Sequence, residues 1–233
     1  MSSCLITLLR HGLCVGEADS ETEFRYVGHT DAPLTGEGRA QLAQMRGDYL
    51  YPPPDTLFTS PLRRCKESAD ILYPGAVAIE LDGLKEYFFG EFENKTPQEL
   101  ERHPLFQRWI AGEPGLVPPF AEDLERFQSR ICDTFARVAD GLLKTHIRHA
   151  VIITHGGVIM ALMAAFALPE APMHEWLTPS GCGFTLRADS SIWPRGRKCE
   201  AIDEAPAPRD EELEDKSWNE RLLWKELEET EFM

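Results

Sequence analysis

The chain has 233 residues, 42% hydrophobic and 27% charged, with a formal net charge of −15. That balance predicts one soluble α/β domain with an appendage, and its negative field argues against a nucleic-acid partner. No apolar run spans a bilayer, no basic and apolar leader opens the chain, and its six cysteines form no C-x-x-C pair; no membrane span, signal peptide or zinc site is expected, and a reducing cytoplasm is.

In chain order, Cys4 to Leu9 is a branched apolar run that predicts a buried strand ending at Arg10-His11-Gly12. Residues 13–35 read as a long loop. Gly36 to Leu50 carries apolar residues at 42, 45 and 49, a helical spacing stopped by Pro52-Pro53-Pro54. Thr56 to Thr59 predicts a second strand. Ser60-Pro61 then predicts the cap and first turn of a helix running to about Leu72. Ala76 to Leu81 is a third strand candidate, and the prolines of 95–120 break that stretch into short surface helices. Leu124, Phe127, Ile131, Phe135, Val138 and Leu142 form one apolar face of a long helix. His149 to Thr154 predicts a strand that ends in His155-Gly156-Gly157 and leads into an apolar helix. Cys182 to Leu186 is expected as the last strand. Ala205-Pro-Ala-Pro208 reads as a linker. Residues 201–233 hold 12 acids against 4 bases, and Trp218, Leu222, Trp224 and Leu227 suit an amphipathic helix there. The expected boundaries are therefore a catalytic domain over 1–200 and an acidic tail over 201–233. Alternating strands and helices predict a three-layer α/β/α fold around a mostly parallel twisted sheet.

Two of these strands end in a histidine followed by glycine. In open α/β sheets ligands bind at the carboxyl ends of strands, so His11 and His155 are expected in one crevice. Ser60-Pro-Leu-Arg-Arg64 brings guanidinium groups to the same edge. Arginine binds phosphate oxygens in pairs and stays charged. The glycines allow close backbone approach, and Gly156 opens a helix whose N-terminus favours an anion. A neutral imidazole can attack phosphorus and split one displacement into two.

At these residues the chain resembles the histidine phosphatase superfamily, also called phosphoglycerate mutase-like. Leu8-Leu-Arg-His-Gly12 is similar to its signature. Gly28 to Gly38 resembles G-x-x-D-x-P-L-T-x-x-G, and Ser60 to Ala69 resembles S-P-L-x-R-A-x-x-T-A. Leu84 to Glu93 resembles L-x-E-x-x-F-G-x-W-E, and Val151 to Gly157 resembles the second-histidine motif. The resemblance spans residues 4–186. It implies that His11 becomes phosphohistidine, that Arg10, Arg64, His155 and Gly156 hold phosphate, and that Glu86 is the proton donor to the leaving oxygen. Arg64, not Arg63, precedes the position of the motif's alanine, which is Cys65 here. The residues 94–123 that set substrate choice read most like the alpha-ribazole phosphatase branch, at Lys95-Thr-Pro-Gln-Glu-Leu100 and Pro118-Pro-Phe-Ala-Glu-Asp123.

The chain departs from the pattern after Gly12. Where the family reads E-T-x-x-N, it has Leu13-Cys14-Val15-Gly16-Glu17, so a carboxylate replaces a neutral amide near the phosphoryl group. Glu17 and Gly28 are therefore expected at the substrate. The resemblance implies hydrolysis of a small phosphorylated metabolite without metal or other cofactor, and self-association through the tail is a further expectation. Two alternatives are a phosphoglycerate mutase-type phosphotransferase and a non-catalytic phosphoprotein-binding protein. The first is disfavoured because Arg102 and Arg108 are the only arginines of residues 94–123 and are not adjacent; the second, because His11, Arg64, Glu86 and His155 are all present.

Overall fold

A computed structural model of the protein describes residues 2–17, 24–145 and 147–209. In chain order its elements are β1 (Ser3–Arg10), α1 (Gly36–Asp48), β2 (Tyr49–Leu50), β3 (Thr56–Thr59), α2 (Arg63–Leu72) and β4 (Ala78–Glu80). Then follow α3 (Pro97–Leu100), α4 (Phe106–Ile110), α5 (Leu124–Leu142), β5 (His149–Thr154), α6 (Gly156–Phe166) and β6 (Ala167–Leu168). β7 (Gly183–Asp189), β8 (Cys199–Ala205) and β9 (Ala207–Pro208) complete the described chain.

The main sheet runs β4-β3-β5-β1-β7-β8-β6. β1, β5, β3 and β4 pair in parallel, whereas β7 runs antiparallel to both β1 and β8. The apolar runs of β1 and β5 are continuous because both of their faces are covered. Ile6, Leu8, Ala150 and Ile152 pack on one side with Phe127, Ile131 and Phe135 of α5 and Val158, Ile159 and Leu162 of α6. Leu9, Val151 and Ile153 pack on the other with Leu42 of α1 and Cys65, Ala69 and Leu72 of α2. Removing a side chain such as Phe135 from water contributes about 1.5–3 kcal/mol. This is the expected α/β/α layering. Among the described residues no helix is long and apolar enough to cross a membrane.

Three sequence expectations change. The helix after β3 does not start at Pro61. It starts at Arg63, with Leu62 as a cap that makes no side-chain hydrogen bond; the Ser60 hydroxyl accepts from Leu62 N, ahead of the helix, and lies 2.8 Å from His155 Nε2. Leu124 is exposed rather than part of the core face: it is the first residue after the Asp123 cap, one turn before α5 reaches the sheet. Cys182 to Leu186 is not the last strand. β8 crosses the expected boundary at 200, and Ala207–Pro208, read as linker, pairs with β2. The acidic composition hid these strands: Cys199 and Ala205 are buried, whereas the Glu and Asp between them reach the surface side. The amphipathic helix expected beyond Asp210 lies outside the described residues.

A separate apolar cluster sits above the sheet edge. Phe92, Leu100 and Phe106 are buried there, with Tyr26, Phe89 and Trp109 packed against them. It forms a cap built from segments between β4 and α5 together with Tyr26 from the stretch between β1 and α1, and α3 within it begins with a capping box between Thr96 and Glu99.

Candidate active site

The register of the sheet brings the two histidines together. Arg10, at the end of β1, lies opposite Thr154 at the end of the parallel strand β5. The next residue of each is a histidine, and the rings of His11 and His155 sit edge to face with centroids 5.1 Å apart. β3 ends beside them, with Thr59 opposite Ile153, and delivers Ser60.

His11 is buried, and its Nδ1 lies 2.8 Å from the Gly12 carbonyl. A carbonyl only accepts, so Nδ1 carries the proton and Nε2 keeps its lone pair. Arg64 Nε donates to Nε2 over 3.2 Å. Burial pushes the imidazole down to about 4, Glu17 raises it in part, and Arg64 and Arg10 lower it. The ring is therefore neutral near pH 7, with its lone pair facing a guanidinium. Gly12 leaves no room for a Cβ, which would run into Leu42, and its amide donates to Ser68. The anion-facing use expected of that amide is thus occupied.

Arg64 is fully buried, yet its guanidinium is placed by backbone alone on one side. Nη1 donates to Thr30 O at 2.9 Å and Nη2 to Gly28 O at 2.8 Å. Arg63, the neighbouring guanidinium, is exposed and pairs with Glu67 at 2.7 Å. Gly28 itself admits no side chain: a Cβ would overlap the Tyr87 carbonyl. Arg10 donates from Nη1 to Thr178 O and from Nη2 to Glu17, and its guanidinium lies over Gly156. Its Nε is buried without a partner among the described residues. His155 Nε2 lies 2.8 Å from Ser60 Oγ, with Cys65 Sγ beside the ring at 3.6 Å. Burial and then Arg64 hold this imidazole well below its ordinary range.

Glu86 approaches from the cap side. Oε1 accepts from Tyr87 N at 2.8 Å and Oε2 from Gly157 N at 2.9 Å, at the start of α6. These bonds favour the anion, but burial outweighs them and pushes the carboxyl up. That is the direction a proton donor requires.

Two supports escaped the sequence reading. Arg130 of α5 donates to the carbonyls of Gly83, Lys85 and Glu86 at 3.0, 2.6 and 2.7 Å, and binds Glu122 through Nε and Nη2. It fixes the segment that carries Glu86. Glu93, quoted only as the end of a motif, accepts from the amides of Gly28, His29, Thr30 and Phe89 and from the Thr30 hydroxyl. It holds the loop whose carbonyls hold Arg64. The one available signal concerned Glu93 alone: it closes the motif that also contains Glu86.

Glu17 lies beside His11 rather than away from it. Oε1 accepts from Arg10 at 3.2 Å, Oε2 accepts from the Cys14 thiol at 3.4 Å, and Oε2 stands 3.9 Å from His11 Nδ1. Burial raises this carboxyl, but His11, Arg10 and Arg64 outweigh it and hold it below the usual range. Among the described residues, His11, Cys14 and Glu17 are the one group of potential metal ligands with donor atoms within 4.8 Å of one another. It is a poor fit for a cation. His11 Nδ1 is protonated toward Gly12, Cys14 is a thiol pushed up by burial, and the Arg10 guanidinium stands next to Glu17.

Residues 6–188 match the family model described as histidine phosphatase superfamily, branch 1. PhoE of Bacillus subtilis strain 168, named an uncharacterized phosphatase, is 29% identical over 191 residues, 81% of this chain and 90% of that protein. The adenosylcobalamin/alpha-ribazole phosphatase of Escherichia coli K12 is 24% identical over 180 residues, 75% of this chain and 85% of its own. The crystal structure of TTHB049 from Thermus thermophilus superposes with a TM-score of 0.59 at 31% identity, over 87% of this chain and 99% of that one.

Proposed function

The chain belongs to branch 1 of the histidine phosphatase superfamily, and on that footing we propose that it hydrolyses a small phosphomonoester through a phosphohistidine at His11. Family and phosphatase relatives make it a phosphatase. The observation that carries the finer reading is the neutral His11, whose Nε2 lone pair faces the buried Arg64 guanidinium.

In this mechanism the phosphoryl oxygens lie among Arg10, Arg64, His155 and the α6 N-terminus at Gly156. Nε2 of His11 attacks phosphorus while the bond to the leaving oxygen breaks, and Glu86 gives that oxygen its proton. Water then attacks phosphorus, Glu86 takes a proton back, and the N–P electron pair returns to Nε2. The positive charge comes from arginine, so the reaction needs no metal. Gly28 shapes the wall by bonding Arg64 through its carbonyl.

The alpha-ribazole ester is the first substrate to try, on the cap sequence and on the likeness to the Escherichia coli enzyme. A mutase would need a second anion site in the cap, and Arg108 there is bound to Glu113. We further propose a cytoplasmic protein without nucleic-acid partners, whose acidic segment 210–233 mediates self-association. Sedimentation of the full chain against one ending at Arg209 checks this, and equal masses would refute it.

Rapid quench with labelled substrate tests the central reading. An acid-labile, base-stable label is expected on the wild type and none on His11→Ala, with turnover falling by on the order of 10⁴–10⁶-fold. Label that survives in His11→Ala would overturn it.

A further inference from the structure

A phosphate site gains nothing in affinity from a carboxylate, yet Glu17 stands within it. Its position relative to the His11 ring resolves this. Glu17 Oε2 is 3.9 Å from Nδ1, while Nε2, on the other side of the ring, faces Arg64. Arg10 and the Cys14 thiol hold the carboxylate there. Of the charged groups that act on His11, Arg64 and Arg10 oppose a positive ring and Glu17 favours one; the titratable neighbours His155 and Cys14 are neutral.

We propose that Glu17 is a positioning residue that acts through His11: its carboxylate balances the positive charge the ring gains on phosphorylation, and weakens binding of the phosphate dianion in exchange. The inference rests on the phosphohistidine reading above. When Nε2 forms its bond to phosphorus, the electron pair of the broken P–O bond stays on the leaving oxygen, which takes the Glu86 proton. Nδ1 keeps its own proton on the Gly12 carbonyl, so the ring becomes a phosphoryl-imidazolium. The phosphoryl oxygens hold their charge throughout this step. Glu17 therefore opposes the ground state, in which only the dianion is present, and favours the step in which the ring becomes positive. In the second step water attacks phosphorus, a water proton passes to Glu86, and the N–P pair returns to Nε2. The ring loses its charge, so the same carboxylate slows hydrolysis and lengthens the life of the phosphoenzyme. The role resembles that of a buried carboxylate behind a catalytic imidazole, which steadies the cation without taking its proton.

The test uses the full chain, p-nitrophenyl phosphate in single-turnover rapid quench, and inorganic phosphate as the binding probe. Removing one charge a few ångströms away in a partly screened site corresponds to about tenfold in each quantity. Glu17→Gln is expected to bind inorganic phosphate about tenfold more tightly and to form phosphoenzyme about tenfold more slowly. It should also hydrolyse the phosphoenzyme faster. Opposite signs in binding and phosphorylation are the diagnostic, because a distorted pocket would worsen both. Glu17→Asp, which draws the charge back by one methylene, should shift all three in the same directions by less, and carries the test if Glu17→Gln does not fold. Wild type that forms no acid-labile label would overturn the phosphohistidine reading itself. Label formation with unchanged phosphate affinity and unchanged rates in both variants would overturn the role of Glu17 alone.

Discussion

The cradle at the sheet edge and the cap above it are built by opposite means. In the cradle, His11, Arg10 and His155 follow directly from the ends of two paired strands, and Arg64 hangs on two carbonyls. Backbone geometry leaves these groups little freedom. The cap has short helices, its own cluster of aromatic rings around Trp109, and polar ties to the rest through Glu93 and Arg130. The difference bears on which part does what in the proposed mechanism: there the cradle supplies chemistry common to any phosphomonoester, and the cap carries Glu86 in and frames the leaving group. Each prediction below perturbs one side and asks whether the other responds.

The largest effect is expected from Glu86→Gln. Expelling an alkoxide without a proton is costly, and a positioned acid contributes roughly 10²–10⁴-fold. A nitrophenolate needs little such help. The loss in kcat/KM should therefore be far greater on an alkyl phosphate than on p-nitrophenyl phosphate, and that ratio isolates the phosphorylation step. Equal losses would mean that Glu86 only shapes the pocket. Glu122 and Asp123 would not replace it, since Arg130 holds the first and the second caps α5 through the amides of Glu125 and Arg126.

Acid should strike the sheet before the cap. His149, buried at the start of β5 against Thr7, is pushed down to about 4 by burial, as is His11. A histidine whose folded pKa lies below its unfolded value of 6.5 contributes fully above that value and loses its contribution as pH falls toward 4. For His149 that is roughly 3 kcal/mol. Glu86, pushed up, works the other way over part of the range. Melting temperature should drop between pH 6.5 and 4, and less steeply in His149→Gln. His103 of the cap is only part-buried, beside Glu91. A flat profile over that window would contradict the account.

Much of the cradle was legible in the sequence because it is local: a strand, then His-Gly, twice. The parallel pairing of β1 with β5 turns those two local signals into one site. Glu17 was legible as an anomaly, although its placement on the Nδ1 side of the ring was not, since a loop's path is set by contacts with Cys14 and Arg10. Arg130 was unreadable. Forty-four residues separate it from the Glu86 carbonyl it holds, and on the helix it looks like any charged flank. β8 was missed because three of its seven residues are acidic and only its two ends, Cys199 and Ala205, are buried, too weak a strand signal beside the charge.

Arg130 gives a more modest test of how the cap transmits to the cradle. The double variant Arg130→Met with Glu122→Gln removes the clamp without leaving a carboxylate stranded. Misplacement of Glu86 by a fraction of an ångström should cost up to about 10²-fold on an alkyl phosphate. The cost on p-nitrophenyl phosphate should be smaller, with phosphate affinity unchanged. Weaker phosphate binding would show that the two regions are not separable in this way.

The smallest expected effect is none. If the cradle draws its positive charge from Arg10 and Arg64, turnover in excess EDTA should equal turnover without it. The donor set argues for this result. A cation at His11, Cys14 and Glu17 would have to displace the Nδ1 proton that the Gly12 carbonyl accepts, deprotonate a buried thiol, and sit beside the Arg10 guanidinium. It would also take the ring of His11, the proposed nucleophile, out of the tautomer that leaves Nε2 free to attack. A divalent ion there should inhibit rather than assist. Adding Zn²⁺, which favours nitrogen and sulfur ligands, should slow turnover at high concentration and EDTA should reverse it. Activity that vanishes with EDTA and returns with Mg²⁺ would mean that the phosphate is not held by the arginines alone, and the division between a self-sufficient cradle and a substrate-framing cap would fall with it.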